Sequence, residues 1–160
     1  MVVLMLDAGV DVQFPCVPYE NAREMPLFVA VNNSCVDVMK ELLRRGANPN
    51  SYASVLMKGS RRTTYPLHCA VKMTNLKAVD ILLQNRAAVN TRDGFGKTPL
   101  EIAGQVALDN PQLSNNLLEI IRLLRRKGGI MGTWMRFKLK GLKRSSRDSI
   151  LSALGSEISN

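Results

Sequence analysis

Histidine and cysteine are the side chains that most often serve as general bases, nucleophiles or metal ligands, and this chain has one histidine, His68, and three cysteines, Cys16, Cys35 and Cys69. A Ser-His or Cys-His pair could be built only around His68. The cysteines, odd in number and without C-x-x-C spacing, support neither a disulfide framework nor a zinc site. Gly94-Phe95-Gly96-Lys97-Thr98 has the composition of a phosphate loop, but a Walker-type loop needs a longer spacer between its glycines and a strand before them. No catalytic, metal or cofactor site is expected, and the activity left to the chain is binding.

The charge bears on the partner. The chain has 160 residues, one ordinary domain by length, and a net charge of +9; residues 130–160 carry six basic and two acidic side chains, nearly half the excess. A single short basic stretch gives only weak, salt-sensitive attachment to nucleic acid or an anionic membrane, so neither is favoured as a partner. The apolar run Met1 to Leu6 ends at Asp7 with no basic region before it, and no window approaches the roughly 18 apolar residues of a membrane span. The expected location is the cytoplasm or nucleus. Aromatics are 5% of a chain that is 46% apolar, a balance suited to packed helices rather than a β-sandwich.

The helices come in copies. Met25-Pro26-Leu27-Phe28-Val29-Ala30 is followed, sixteen residues after its proline, by Leu42-Leu43 and then Arg45-Gly46-Ala47-Asn48-Pro49-Asn50. Tyr65-Pro66-Leu67-His68-Cys69-Ala70 is followed at the same offset by Leu82-Leu83 and then Arg86-Ala87-Ala88-Val89-Asn90. A third copy opens at Thr98-Pro99-Leu100-Glu101-Ile102-Ala103 and closes at Leu123-Leu124 and Gly128. There the proline-to-leucine spacing is 24, eight more, and the surplus around Asp109 to Ser114 reads as a lengthened loop. Val3 to Val12 matches only the closing half of a copy.

Pro26, Pro66 and Pro99 suit the first position of a helix, where a missing N–H costs nothing. Gly46 and Gly128 suit the left-handed stop. Val36, Met39, Leu42 and Leu43, and again Val79, Leu82 and Leu83, make helical apolar stripes.

These residues resemble the ankyrin repeat. The resemblance covers about 2–129, as a half repeat at 2–13 and repeats near 22–50, 61–90 and 91–129, ahead of a basic tail at 130–160. It implies an all-α solenoid with β-turn or hairpin loops and a short C-terminal helical tail, whose activity is protein binding without chemistry. It also implies that His68 hydrogen-bonds between neighbouring loops and helices, while Cys35 and Cys69 are expected as small buried groups.

Irregularities in the stack mark the candidate target surface. Pro26 to Pro66 is 40 residues against 33 from Pro66 to Pro99, so Ser51 to Arg62 is expected either as a projecting finger or folded back on the stack. Its Tyr52, Leu56, Met57, Arg61 and Arg62 combine adaptable apolar groups with cations, a composition suited to an acidic protein target. The long segment Phe14 to Glu24 lies on the same edge. Arg44-Arg45 and Arg125-Arg126-Lys127 are expected at helix C-termini, where cations favour the dipole.

In the tail, Leu142, Ser146, Ile150 and Leu154 recur every four residues, the stripe of a short amphipathic helix. Gly141 to Gly155 is similar to the first half of a SOCS box (137–160), the module that follows ankyrin repeats in the ankyrin repeat and SOCS box family. That resemblance implies binding of elongin C within the elongin B/C pair, with Leu142 as main anchor, and through it a cullin-type ubiquitin ligase. Ser145 and Ser146 depart from the leucine and cysteine usual there, and the cullin-selecting second half is not recognisable after Gly155. The alternative is an ankyrin scaffold or masking inhibitor whose tail helix only caps the stack.

Overall fold

The computed structural model describes residues 22, 23, 25–57, 60–110 and 114–132, with Asp148 and Ser152 as isolated helical positions; at 22, 23, 55–57, 60 and 61 only the backbone is described. The half repeat at 2–13 and the tail stripe lie outside these residues. In chain order the elements are β1 (Ala22–Arg23), α1 (Pro26–Asn32), α2 (Val36–Arg44), β2 (Ala53–Met57), β3 (Ser60–Thr64), α3 (Pro66–Lys72), α4 (Leu76–Gln84), α5 (Pro99–Asp109) and α6 (Asn115–Arg126). None of these helices is long and apolar enough to cross a membrane.

The fold is a stack of helix pairs. Inner helices α1, α3 and α5 open at Pro26, Pro66 and Pro99 and pack on one another; outer helices α2, α4 and α6 do the same behind them. The alanine four residues after each proline, Ala30, Ala70 and Ala103, is buried, and its small side chain lets adjacent inner helices approach closely. Leu27, Leu67 and Leu100 bury beside them, and the outer helices contribute Met39 and Leu42, Val79 and Leu82, and Ile120 and Leu124 to one continuous core.

The insertion between the first two pairs is a hairpin. β2 and β3 pair antiparallel from Ala53↔Thr64 to Met57↔Ser60, and β1 adds to the other side of β2 through Ala22↔Val55. Its base is also tied to the third pair: the Gly94 N–H donates to the Thr63 carbonyl at 2.7 Å, and Arg62 Nη1 donates to the Gly94 carbonyl at 2.8 Å. A Cβ at residue 94 would stand 2.6 Å from the Thr63 nitrogen, so only glycine allows this approach.

Two expectations need correction. Most of the surplus in the third copy is helix: α5 has 11 residues where α1 and α3 have 7, because the apolar pattern Ala103, Val106, Ala107 continues it by a turn to Asp109. Cys35 is exposed rather than buried, since α2 starts only at Val36 and the cysteine stands at its N-cap, between helices. The cations of α2 have also found a partner nearer than the helix dipole: Arg44 and Arg45 reach Glu41 at 2.7 and 2.5 Å. Hydrogen bonds from Arg44 and then Arg45 hold the Glu41 carboxyl down at about 2.

Each outer helix ends with one residue in the left-handed region, Gly46 at φ 89°, Arg86 at 65° and Gly128 at 82°. Arg86 thus fills a glycine position, where a side chain costs on the order of 1 kcal/mol. Arg86→Gly is expected to stabilise the fold by about 1 kcal/mol, read as a higher urea midpoint at unchanged slope.

Candidate protein-binding groove

The inner helices, β3 and the 93–97 turn together line an open groove of about 700 Å³. Arg62, Thr63 and Thr64 enter it from β3, His68, Cys69, Lys72 and Met73 from α3 and its end, and Asp93, Phe95 and Lys97 from the turn. Phe28 and Asn32 close it on one side; Ile102, Gln105, Val106 and Asp109 of α5 close it on the other. Phe95 and Met73 are 58% and 42% exposed, large apolar side chains facing water in a concave surface. Arg62 lies with its guanidinium carbon 5.1 Å from the Phe95 ring centre.

The edge that carries the hairpin is also where the helix pairs are bonded together. Asn50 Nδ2 donates to the Arg86 carbonyl while its Oδ1 accepts from the Ala88 N–H, at 3.3 and 2.7 Å. One pair further on, Asn90 does the same with the Gly128 carbonyl and the Ile130 N–H, at 2.9 and 2.8 Å. Only a side-chain amide offers the donor and the acceptor together in that geometry.

The second residue after each N-terminal proline is buried in all three inner helices, yet its chemistry differs: Phe28, His68 and Glu101. His68 Nε2 donates to the Lys97 carbonyl at 2.9 Å, linking α3 to the next turn, with its ring 5.5 Å from that of Tyr65. Glu101 closes a capping box with Thr98 through Oε2 and accepts the Gly132 N–H through Oε1 at 3.0 Å. Thr98 Oγ1 donates to the Ile130 carbonyl, so the chain leaving α6 is fastened to the start of α5.

Among the sequence candidates for target binding, Arg62 lines the groove, and Tyr52 lies at the hairpin base, 50% exposed, with its ring 6.4 Å from Tyr65. Leu56, Met57 and Arg61 are on the hairpin strands, with their side chains outside the described residues. Leu142, Ser146, Ile150 and Leu154 also lie outside them. Phe95, Lys72 and Met73 were missed by sequence reasoning. Their signal was faint, since Phe95 reads as part of a glycine turn and the other two as the polar end of a short helix. Among the described residues no group of His, Cys, Asp and Glu is placed to hold a metal ion.

Comparison with known proteins gives one family profile, described as ankyrin repeats in three copies, matching residues 27–132. The ARF GTPase-activating protein Git of Drosophila melanogaster is 34% identical over 88 residues, 55% of this chain and 11% of that protein. An ankyrin repeat protein of fowlpox virus (strain NVSL) is 30% identical over 106 residues, 66% of this chain and 34% of its own length. Neurogenic locus notch homolog protein 4 of Homo sapiens is 33% identical over 107 residues, 66% of this chain and 5% of that protein. The matched region thus spans at most 34% of these curated relatives.

His68 gives this edge a pH dependence of defined sign. Burial lowers its pKa below the usual 6.5, and the Lys97 bond, the Asp93 charge and the Thr91 backbone pull the other way without restoring it. The unfolded chain therefore binds the proton first, so stability is complete above about pH 6.5 and is lost as pH falls below that value, by up to about 1.4 kcal/mol per pH unit. Urea midpoints between pH 7.5 and 5 should fall in the wild type and stay level in His68→Gln. Because His68 is the one histidine of the chain, a level wild-type profile would contradict this assignment.

Proposed function

This chain belongs to the ankyrin repeat family, and on that premise we propose that it is the substrate receptor of an elongin/cullin-type ubiquitin ligase, its groove holding a protein target and its tail binding elongin C. The family itself supplies the coarser statement, a protein–protein interaction module. The observation that carries the target-binding half is the open groove walled by the hairpin, with exposed Phe95 and Met73 inside it. Rigid repeats and a fastened hairpin present such a surface with little ordering cost on binding.

The ligase half is supported by the residue pattern of the tail, Leu142, Arg147, Ile150, Leu154 and Gly155. In this reading Leu142 enters the elongin C pocket, Ser146, Ile150 and Leu154 continue the contact, and the complex works in the cytoplasm or nucleus. A second reading, the stand-alone scaffold with a capping tail, draws on Met131, which is buried, and on the bonds from Thr98 and Glu101 that hold 130–132 against the third repeat.

A pull-down with purified elongin B–elongin C separates the two readings. Capture by the wild-type chain, weakened at least about tenfold in Leu142→Ala as expected for loss of a buried anchor, supports the receptor. No capture by either protein favours the scaffold.

A further inference from the structure

The groove's charges and apolar groups are arranged in a way that selects among protein targets. Its cations are Arg62, Lys72 and Lys97, and its carboxylates are Asp93 and Asp109. Asp93 Oδ1 accepts the backbone N–H groups of Phe95 and Lys97, each at 2.9 Å, and is held in its own turn. Asp109 accepts from Gln105 at the end of α5. Among the described residues neither Arg62 nor Lys72 meets a carboxylate: Arg62 bonds the neutral Gly94 carbonyl, and Lys72 is exposed at the last position of α3.

Each of these cations has an exposed apolar neighbour. Arg62 lies over Phe95 at the hairpin end, and Lys72 precedes Met73 at the far end. α3, which starts two residues after the end of β3 and finishes at Lys72, is about 10 Å long, the span of roughly three residues of extended chain.

Resting on the reading of the groove as the target surface, we propose that its occupant is an extended protein segment with acidic residues about three or four positions apart, each beside an apolar side chain. One carboxylate meets Arg62 while its apolar neighbour covers Phe95. The second meets Lys72 while its neighbour covers Met73. A chain of that kind matches both ends of the groove at once, and it matches the net charge of +9. A nucleic acid offers phosphates but no branched aliphatic side chain of the kind that would cover Met73.

The test uses the full chain and a fluorescein-labelled peptide of about ten residues, with two glutamates four positions apart and a leucine beside each. The comparison probes are the same peptide with glutamines and a single-stranded oligonucleotide of similar length. The glutamate peptide is expected to bind about tenfold tighter than the glutamine peptide, with an advantage that shrinks in high salt. Lys72→Glu, an exposed substitution whose fold is checked by its urea midpoint, is expected to abolish that preference, and Lys72→Arg to keep it.

Equal binding of the two peptides, or an undiminished preference in Lys72→Glu, would overturn the acidic specificity while leaving the groove as a peptide site. Binding of neither peptide would overturn the groove reading as well. Oligonucleotide binding as tight as that of the glutamate peptide would reassign the surface to nucleic acid. None of these outcomes depends on elongin capture.

Discussion

None of the three described helix pairs can bury its own apolar face, and the rest of the described structure follows from that constraint. α3 and α4 present Leu67, Ala70, Val79 and Leu82 to neighbours on two sides, and these side chains reach full burial only because a pair stands on each side. Such an apolar seam alone would tolerate sliding. Register comes from the polar edge, where Asn50 and Asn90 each engage a carbonyl and an N–H of the following pair. His68 adds a third bond of the same kind, to Lys97. Left unpaired, the buried His68 would cost about 1–3 kcal/mol; the exposed asparagines would turn to water at smaller cost, so their part is to fix register.

The same edge determines what the molecule can hold. The residues inserted between the first two pairs have somewhere to go only because Gly94 lets Thr63 approach, and the hairpin therefore stands as a wall. Arg62 serves both purposes, bonding the hairpin to the Gly94 carbonyl and presenting its guanidinium over Phe95. The groove is thus a consequence of how the pairs are joined. Its exposed apolar side chains are tolerable because a small number of them, rimmed by cations, stay below the size of patch that drives aggregation.

Much of the fold was legible because the repeat writes the same physical instruction several times. Proline at the first helical turn, a small residue four positions on and a leucine pair give the helices and their buried faces directly. The third copy misled, since Asn110 and Pro111 suggested a long loop while the apolar pattern to Ala107 carried α5 another turn. Cys35 misled because it adjoins the apolar stripe that starts at Val36, yet it stands outside that helix as its exposed N-cap. The asparagine ladder was visible as Asn50 and Asn90, each eight residues after the first leucine of its pair, but composition says nothing of a bond to residues nearly 40 positions away. The groove was legible at its hairpin rim and not at Lys72 and Met73, whose importance comes from a neighbouring repeat brought beside them.

Whether the joins between pairs, and not the pairs themselves, hold this structure is tested most directly by hydrogen exchange on Asn90→Asp, which keeps the acceptor for Ile130 N–H and removes the donor to the Gly128 carbonyl. The expected result is faster exchange confined to α6 and residues 128–130, with α1 and α2 protected as in the wild type. Exchange that rises equally in α1 through α6, or not at all, would contradict it.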